Sequence, residues 1–202
     1  MRKKIGIMGG TFDPIHVGHL ILGETAYEQH QLDQVWFMPS GNPPHKRNRA
    51  GRAFDEQRVA MVNMAIAGNS HFALSLEDMQ PDGYSYTYLL LERLIAKNPD
   101  TDFYFIIGGD SLFDFETWRE PAKICQTATL LVAGRNQVSK QQFNDQMDYL
   151  ARKYNGTFLP LDVPNLDISS NMLRQWTLEG KSIRYYVPDS VGEYIKEQQL
   201  YL

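Results

Sequence analysis

The chain has 202 residues, 43% hydrophobic and 12% aromatic, enough to bury the core of one domain with no linker. Its 24 acidic and 20 basic side chains leave a formal charge of −4, which argues against nucleic acid or an anionic membrane as main partner, since both demand an excess of Lys and Arg. No apolar run reaches membrane-spanning length, Asp13, His16 and His19 interrupt the stretch that a signal peptide would need, and the single Cys125 forms no internal disulfide, as expected of a cytoplasmic chain.

Strand-like runs occur at Lys4–Met8, Val35–Pro39, Phe72–Leu76, Phe103–Gly108, Thr129–Ala133 and Thr157–Leu161, with helical patterns between them. The first helix begins near Val17 and carries Leu20, Ile21 and Tyr27. Asp55 is placed to cap a second, with Val59, Val62 and Ile66 on its apolar face and Phe54 positioned to staple against Val59. Tyr84, Tyr88, Leu91 and Ile95 keep the 3.6-residue period until Asn98 and Pro99 stop it. Ser139 can cap a further helix with Phe143, Met147, Leu150 and Tyr154 on one face.

This alternation implies a parallel α/β sheet. Phe103–Ile107 is apolar at every position, as a central strand covered on both faces should be, and it ends in Gly108, Gly109 and Asp110. The first strand also ends in glycines. Because ligands of doubly wound sheets bind at strand carboxyl ends beside the switch point, these two strands are expected to be neighbours. Neither GxGxxG nor GxxxxGK[ST] is present, so neither a dehydrogenase nor a P-loop ATPase is supported. The expectation is a single domain, residues 1–202, with a Rossmann-like doubly wound parallel sheet.

Gly9–His19, GGTFDPIHVGH, concentrates the chemistry. Gly9 and Gly10 let the backbone turn tightly and approach a ligand. His16 and His19, spaced i and i+3, project from the first turn of the helix, where unpaired N–H groups and the helix dipole favour an anion. A metal role for the two is weak, because no Cys/His cluster with zinc spacing exists. Ser169 precedes a second helix start, ISSNMLR, where its hydroxyl can cap and Arg174 adds a bidentate donor. The loop Gly41–Arg52 holds His45, Lys46, Arg47, Arg49 and Arg52, which as a plain charge run would be a solvated surface. Trp118 lies eight residues after Asp110, on the element leaving the expected crevice, and Arg135 follows the fifth strand.

GGTFDPIHVGH resembles the nucleotidylyltransferase signature GTFDPxHxGH, and ISSNMLR resembles that family's ISSTxIR, with Asn171 for Thr and Leu173 for Ile. Within the superfamily the chain is most similar to the bacterial nicotinate-mononucleotide adenylyltransferases: PPHK at 43–46, GYSYT at 83–87, ETWRE at 116–120 and the closing stretch from Tyr186 to Ile195 all match. The resemblance implies transfer of AMP from ATP to nicotinate mononucleotide. It assigns His16, His19 and Lys46 to catalysis, and Gly9, Gly10, Thr11, Phe12, Asp110, Ser169, Ser170 and Arg174, with both histidines, to ATP. Thr87, Trp118, the Arg119 backbone and His45 are assigned to the mononucleotide. Mg²⁺ would accompany ATP without a dedicated protein metal site, and self-association into a homo-oligomer stays open. Phosphopantetheine adenylyltransferase is the nearest alternative, but it typically has Thr where His16 stands and lacks the Thr87 and Trp118 elements. A catalytically silent nucleotide sensor could dispense with HxGH, which is intact here.

Overall fold

The computed structural model describes residues 2–41, 51–79, 85–134 and 139–202. Among them, β1 (Lys3–Gly10), β2 (Gln34–Pro39), β3 (Phe72–Leu74), β4 (Thr101–Gly108), β5 (Thr129–Ala133) and β6 (Phe158–Leu161) form one parallel sheet, in the order β3-β2-β1-β4-β5-β6. As expected, β1 and β4 are neighbours, with Ile5 opposite Phe103 and Ile7 opposite Phe105. Strand order reverses between them, so the switch point opens where the Gly9–Gly10 and Gly108–Gly109 ends lie side by side.

Successive residues of a strand face opposite sides of the sheet, and the central strands are apolar on both. Ile5, Ile7, Phe105 and Ile107 enter one core with Leu91, Leu112 and Phe115, while Met8 and Ile106 enter the other with Phe12, Phe37 and Met61. The helices α1 (Val17–His30), α2 (Asp55–Ile66), α3 (Thr87–Lys97), α4 (Gly109–Phe113), α5 (Pro121–Thr127), α6 (Lys140–Tyr154), α7 (Ser170–Leu178) and α8 (Asp189–Glu197) cover the two faces. Ser139 caps α6 by accepting the Gln142 N–H at 3.2 Å. No helix of the described residues is long and apolar enough to cross a membrane.

Some local expectations shift. β3 stops at Leu74 rather than Leu76, and β4 starts two residues early, at Thr101. In α2, Phe54 occupies the N-cap position and Asp55 is the first helical residue, its carboxylate accepting from Arg58. Phe54 is 75% exposed, so the staple onto Val59 does not form. The inward face of α2 carries Arg58, Met61, Val62 and Ile66; a charged residue is tolerated there because it finds backbone carbonyls to bind. α3 starts at Thr87, and Tyr84 lies outside the described residues.

Candidate active site

A cavity of about 1060 Å³ opens at the carboxyl ends of the strands, over the switch point. Four helices begin at its wall: α1 after His16, α3 after Tyr86, α4 after Gly108 and α7 after Ser169. First-turn N–H groups lack acceptors one turn earlier in the helix; the Val17 N–H is taken by Tyr186 O and the Met172 N–H by Ser169, and those left over suit an anionic ligand.

The turn between β1 and α1 is shaped by side chains packed behind it. The left-handed residue is Phe12, at φ 50°, not either glycine. Phe12's ring folds back so that a Cβ on Gly10 would lie 3.0 Å from it, which explains glycine there by close approach rather than by dihedral angle. That ring is buried beneath His19 and beside Phe37, so Phe12, assigned to ATP, contributes its side chain to the core and not to the cavity wall.

Three carbonyls of the turn are bound by side chains of α2 and α7. Arg58, 3% exposed, donates to Thr11 O at 2.5 Å and to Ser40 O at 2.7 Å, joining the ends of β1 and β2. Arg174 donates through Nη1 to Asp13 O at 2.6 Å and through Nη2 to Asn171 at 3.0 Å, and the Ser170 hydroxyl donates to Pro14 O at 2.9 Å. The α7 start is thereby fastened to the turn, with Ser169 capping it by accepting the Met172 N–H. Arg174 therefore acts on the loop; its guanidinium is not among the groups at the cavity wall.

His16 is buried and its ring stacks on that of His19, centroids 3.7 Å apart. The His16 backbone N–H donates to His19 Nδ1 at 3.2 Å, which assigns the His19 ring proton to Nε2. Gly18 lies under the His16 ring: a Cβ there would meet Nδ1 at 3.1 Å. Gly9, Gly10, Thr11, His16, His19, Ser169 and Ser170 all reach the cavity.

The opposite wall holds Asp110, Thr87, Trp118 and Arg119. Thr87 is the first residue of α3. Trp118 packs edge-on against Phe105 and tilted on Phe115, half-buried, so it is both a core residue and a cavity wall. The Arg119 guanidinium sits 5.3 Å above the Tyr86 ring, directing the side chain onto the α3 start.

His45, Lys46, Arg47, Arg49 and Arg135 lie outside the described residues. Arg52 is described, and it donates to the buried Asp13 carboxylate at 3.0 Å, an anchoring role in place of a solvated charge.

Sequence reading passed over several wall residues. Asp78, 7% exposed, accepts the Ser85 hydroxyl at 2.5 Å, and burial pushes its carboxyl above the usual range. Ser85 lay within the GYSYT match and could have been singled out with Thr87. Val163–Leu166, a loop after β6, carries no local signal and reaches the cavity only through the fold. Among the described residues no group of three or more His, Cys, Asp or Glu could hold a metal ion.

A doubly wound sheet whose switch-point cavity is walled by helix starts and an HxGH turn defines a nucleotide-binding α/β protein of the nucleotidyl-transfer type. The chain belongs to the cytidylyltransferase-like family, whose model matches residues 7–176. Among its relatives, the probable nicotinate-nucleotide adenylyltransferase of Lachnoclostridium phytofermentans is 42% identical over 200 residues, covering 99% of this chain and 100% of that one. That of Clostridium acetobutylicum is 40% identical, with 99% and 100% coverage. Among solved structures, the Plasmodium falciparum nicotinic acid mononucleotide adenylyltransferase complexed with NaAD superposes with a TM-score of 0.79 over 98% of this chain and 97% of that chain. At 21% identity, that likeness speaks for the fold.

Proposed function

We propose that the chain transfers AMP from ATP to nicotinate mononucleotide, giving the deamido form of NAD and pyrophosphate. The observation that carries this reading is one cavity bounded on one side by the His16–His19 turn and on the other by Thr87 and Trp118. The names of the relatives at about 40% identity support it.

A phosphate monoester has a second pKa of about 6, so the mononucleotide's phosphate is largely ionised at neutral pH and needs no general base. One of its oxygens bonds to the α-phosphorus of ATP as the bond from that phosphorus to the β-phosphate oxygen breaks. The protein's task is then to align the two phosphates and stabilise the charge that builds between them. His19, holding its proton on Nε2, donates to the α-phosphate with His16 beside it. The backbone of Gly9, Gly10 and Thr11, the α7 start at Ser169 and Ser170, and Lys46 hold the triphosphate. Arg174 keeps the turn and α7 in register for the outgoing pyrophosphate. Asp110 hydrogen-bonds the nucleotide.

Trp118 stacks on the pyridine ring, and the ring's carboxylate accepts from the Thr87 hydroxyl and the Arg119 N–H; His45 is assigned to the same mononucleotide. A Mg²⁺ ion would enter with ATP, held chiefly by phosphate oxygens and water. Mg²⁺ neutralises triphosphate charge when bound.

Purified protein given ATP and nicotinate mononucleotide should release pyrophosphate, and ATP alone should release none. Release with phosphopantetheine in place of the mononucleotide would move the protein to the other adenylyltransferase class.

A further inference from the structure

The Asp13 carboxylate is 1% exposed, so each of its oxygens depends on protein donors. Oδ2 accepts from Arg52 Nε at 3.0 Å, with Arg174 Nη1 at 3.9 Å. Oδ1 accepts the Ala53 N–H at 3.1 Å and the Tyr201 hydroxyl at 2.8 Å, a contact across 188 residues of sequence. Tyr201 is itself 7% exposed and packs in the core on the α8 side of the sheet, with Val191, Ile195 and Leu200.

Its backbone reaches that position at a cost. Gln199 and Tyr201 both adopt left-handed dihedrals, φ 50° and 66°, a region that side chains with a Cβ rarely adopt. Such dihedrals persist where the surroundings over-determine them, and here the turn after α8 delivers the phenol to Asp13. Only Pro14 and Ile15 separate Asp13 from His16, and Asp13 O is already fixed by Arg174.

We propose that Tyr201 is a positioning residue for the phosphate-binding turn: its hydroxyl completes the donor set of the buried Asp13 carboxylate, and the orientation of Asp13 so fixed sets the placement of His16 and His19. Without the hydroxyl, Oδ1 keeps only the Ala53 N–H, in a place that bulk water does not reach. The carboxylate then turns toward another donor, and the Asp13–His16 backbone follows. The expected effect on turnover rests on the adenylyltransferase reading; the geometric claim does not.

Tyr201→Phe keeps the ring and removes the hydroxyl. In ¹H–¹⁵N spectra of the imidazole groups, the His16 and His19 signals should move while those of His30 and His71 stay in place. In the assay with ATP and nicotinate mononucleotide, kcat should fall about tenfold with KM for the mononucleotide unchanged, a size in keeping with small misplacements of catalytic groups. In an Asp13→Ala background, which lacks the acceptor, the same substitution should cost less than about twofold, because the two act through one contact. Unmoved His16 and His19 signals overturn the proposal. So does an unfolded variant, or one that costs as much in the Asp13→Ala background as in the wild type, since either makes Tyr201 a packing residue. If the wild type releases no pyrophosphate, the adenylyltransferase reading fails while the imidazole spectra still decide the role of Tyr201.

Discussion

His19 accepts the backbone N–H of His16 on Nδ1 at 3.2 Å while the two rings stack with centroids 3.7 Å apart. One bond therefore sets both the tautomer of His19 and the start of α1. His19→Ala removes the Nε2 donor that we propose acts mainly on charge developing in the transition state. Turnover should fall by a factor on the order of 10² or more while the circular dichroism spectrum is retained. Wild-type turnover in this variant would detach the turn from the chemistry.

Gly18→Ala tests the same arrangement from beneath. The new Cβ would sit 3.1 Å from the Nδ1 of a His16 ring that is buried and already stacked on His19, so the ring has little room to retreat. We expect kcat to fall while α1 itself, gaining an alanine, loses no stability. A variant with full activity would show that the His16 ring is free to shift.

The acid should be preferred to the amide. A carboxylate can accept from both the Thr87 hydroxyl and the Arg119 N–H, whereas an amide turns its NH₂ toward one of them. An unpaired buried polar group costs about 1–3 kcal/mol, roughly 5- to 150-fold in kcat/KM. Thr87→Val should narrow the preference, and Trp118→Ala should weaken both mononucleotides together. Equal kcat/KM for acid and amide would remove the nicotinate pocket and leave the ATP side untouched.

Arg58 and Arg174 should separate by readout. Arg58→Met leaves the Thr11 and Ser40 carbonyls, next to a buried side chain, without their donors. At about 1–3 kcal/mol per unsatisfied group, unfolding free energy should drop by about 2–6 kcal/mol in urea titrations. Arg174 is partly exposed and binds one turn carbonyl, so Arg174→Ala should chiefly raise KM for ATP. An equal loss of affinity for both substrates would mean that α7 is displaced as a whole.

Burial holds the His30 imidazole below its ordinary pKa, a shift opposed by a backbone hydrogen bond at Pro160 and aided by Lys4. Because the folded state resists the proton more than the unfolded chain does, the contribution is intact above an unfolded pKa of about 6.5 and is lost as pH falls through the lower folded value. Urea midpoints should therefore decline from pH 7.5 to pH 5.5. His30→Gln should flatten that decline, and an identical slope in the variant would assign it to other groups.

Local pattern alone determined the strand and helix succession, the adjacency of β1 and β4, the Ser139 and Ser169 caps and the HxGH turn. Each of these depends on periodicity, glycine and capping chemistry within a few residues of sequence. Only the tertiary structure decided what holds the turn in place. Asp13 meets Ala53 and Tyr201 from 40 and 188 residues away, and Arg174 reaches its carbonyl from 161. It also turned Arg58 inward on a helix face where Val59 was expected, and it withdrew the Phe12 ring from the cavity. A buried polar group is fixed by whichever donors the fold brings within reach, and no local spacing in the chain encodes which those are.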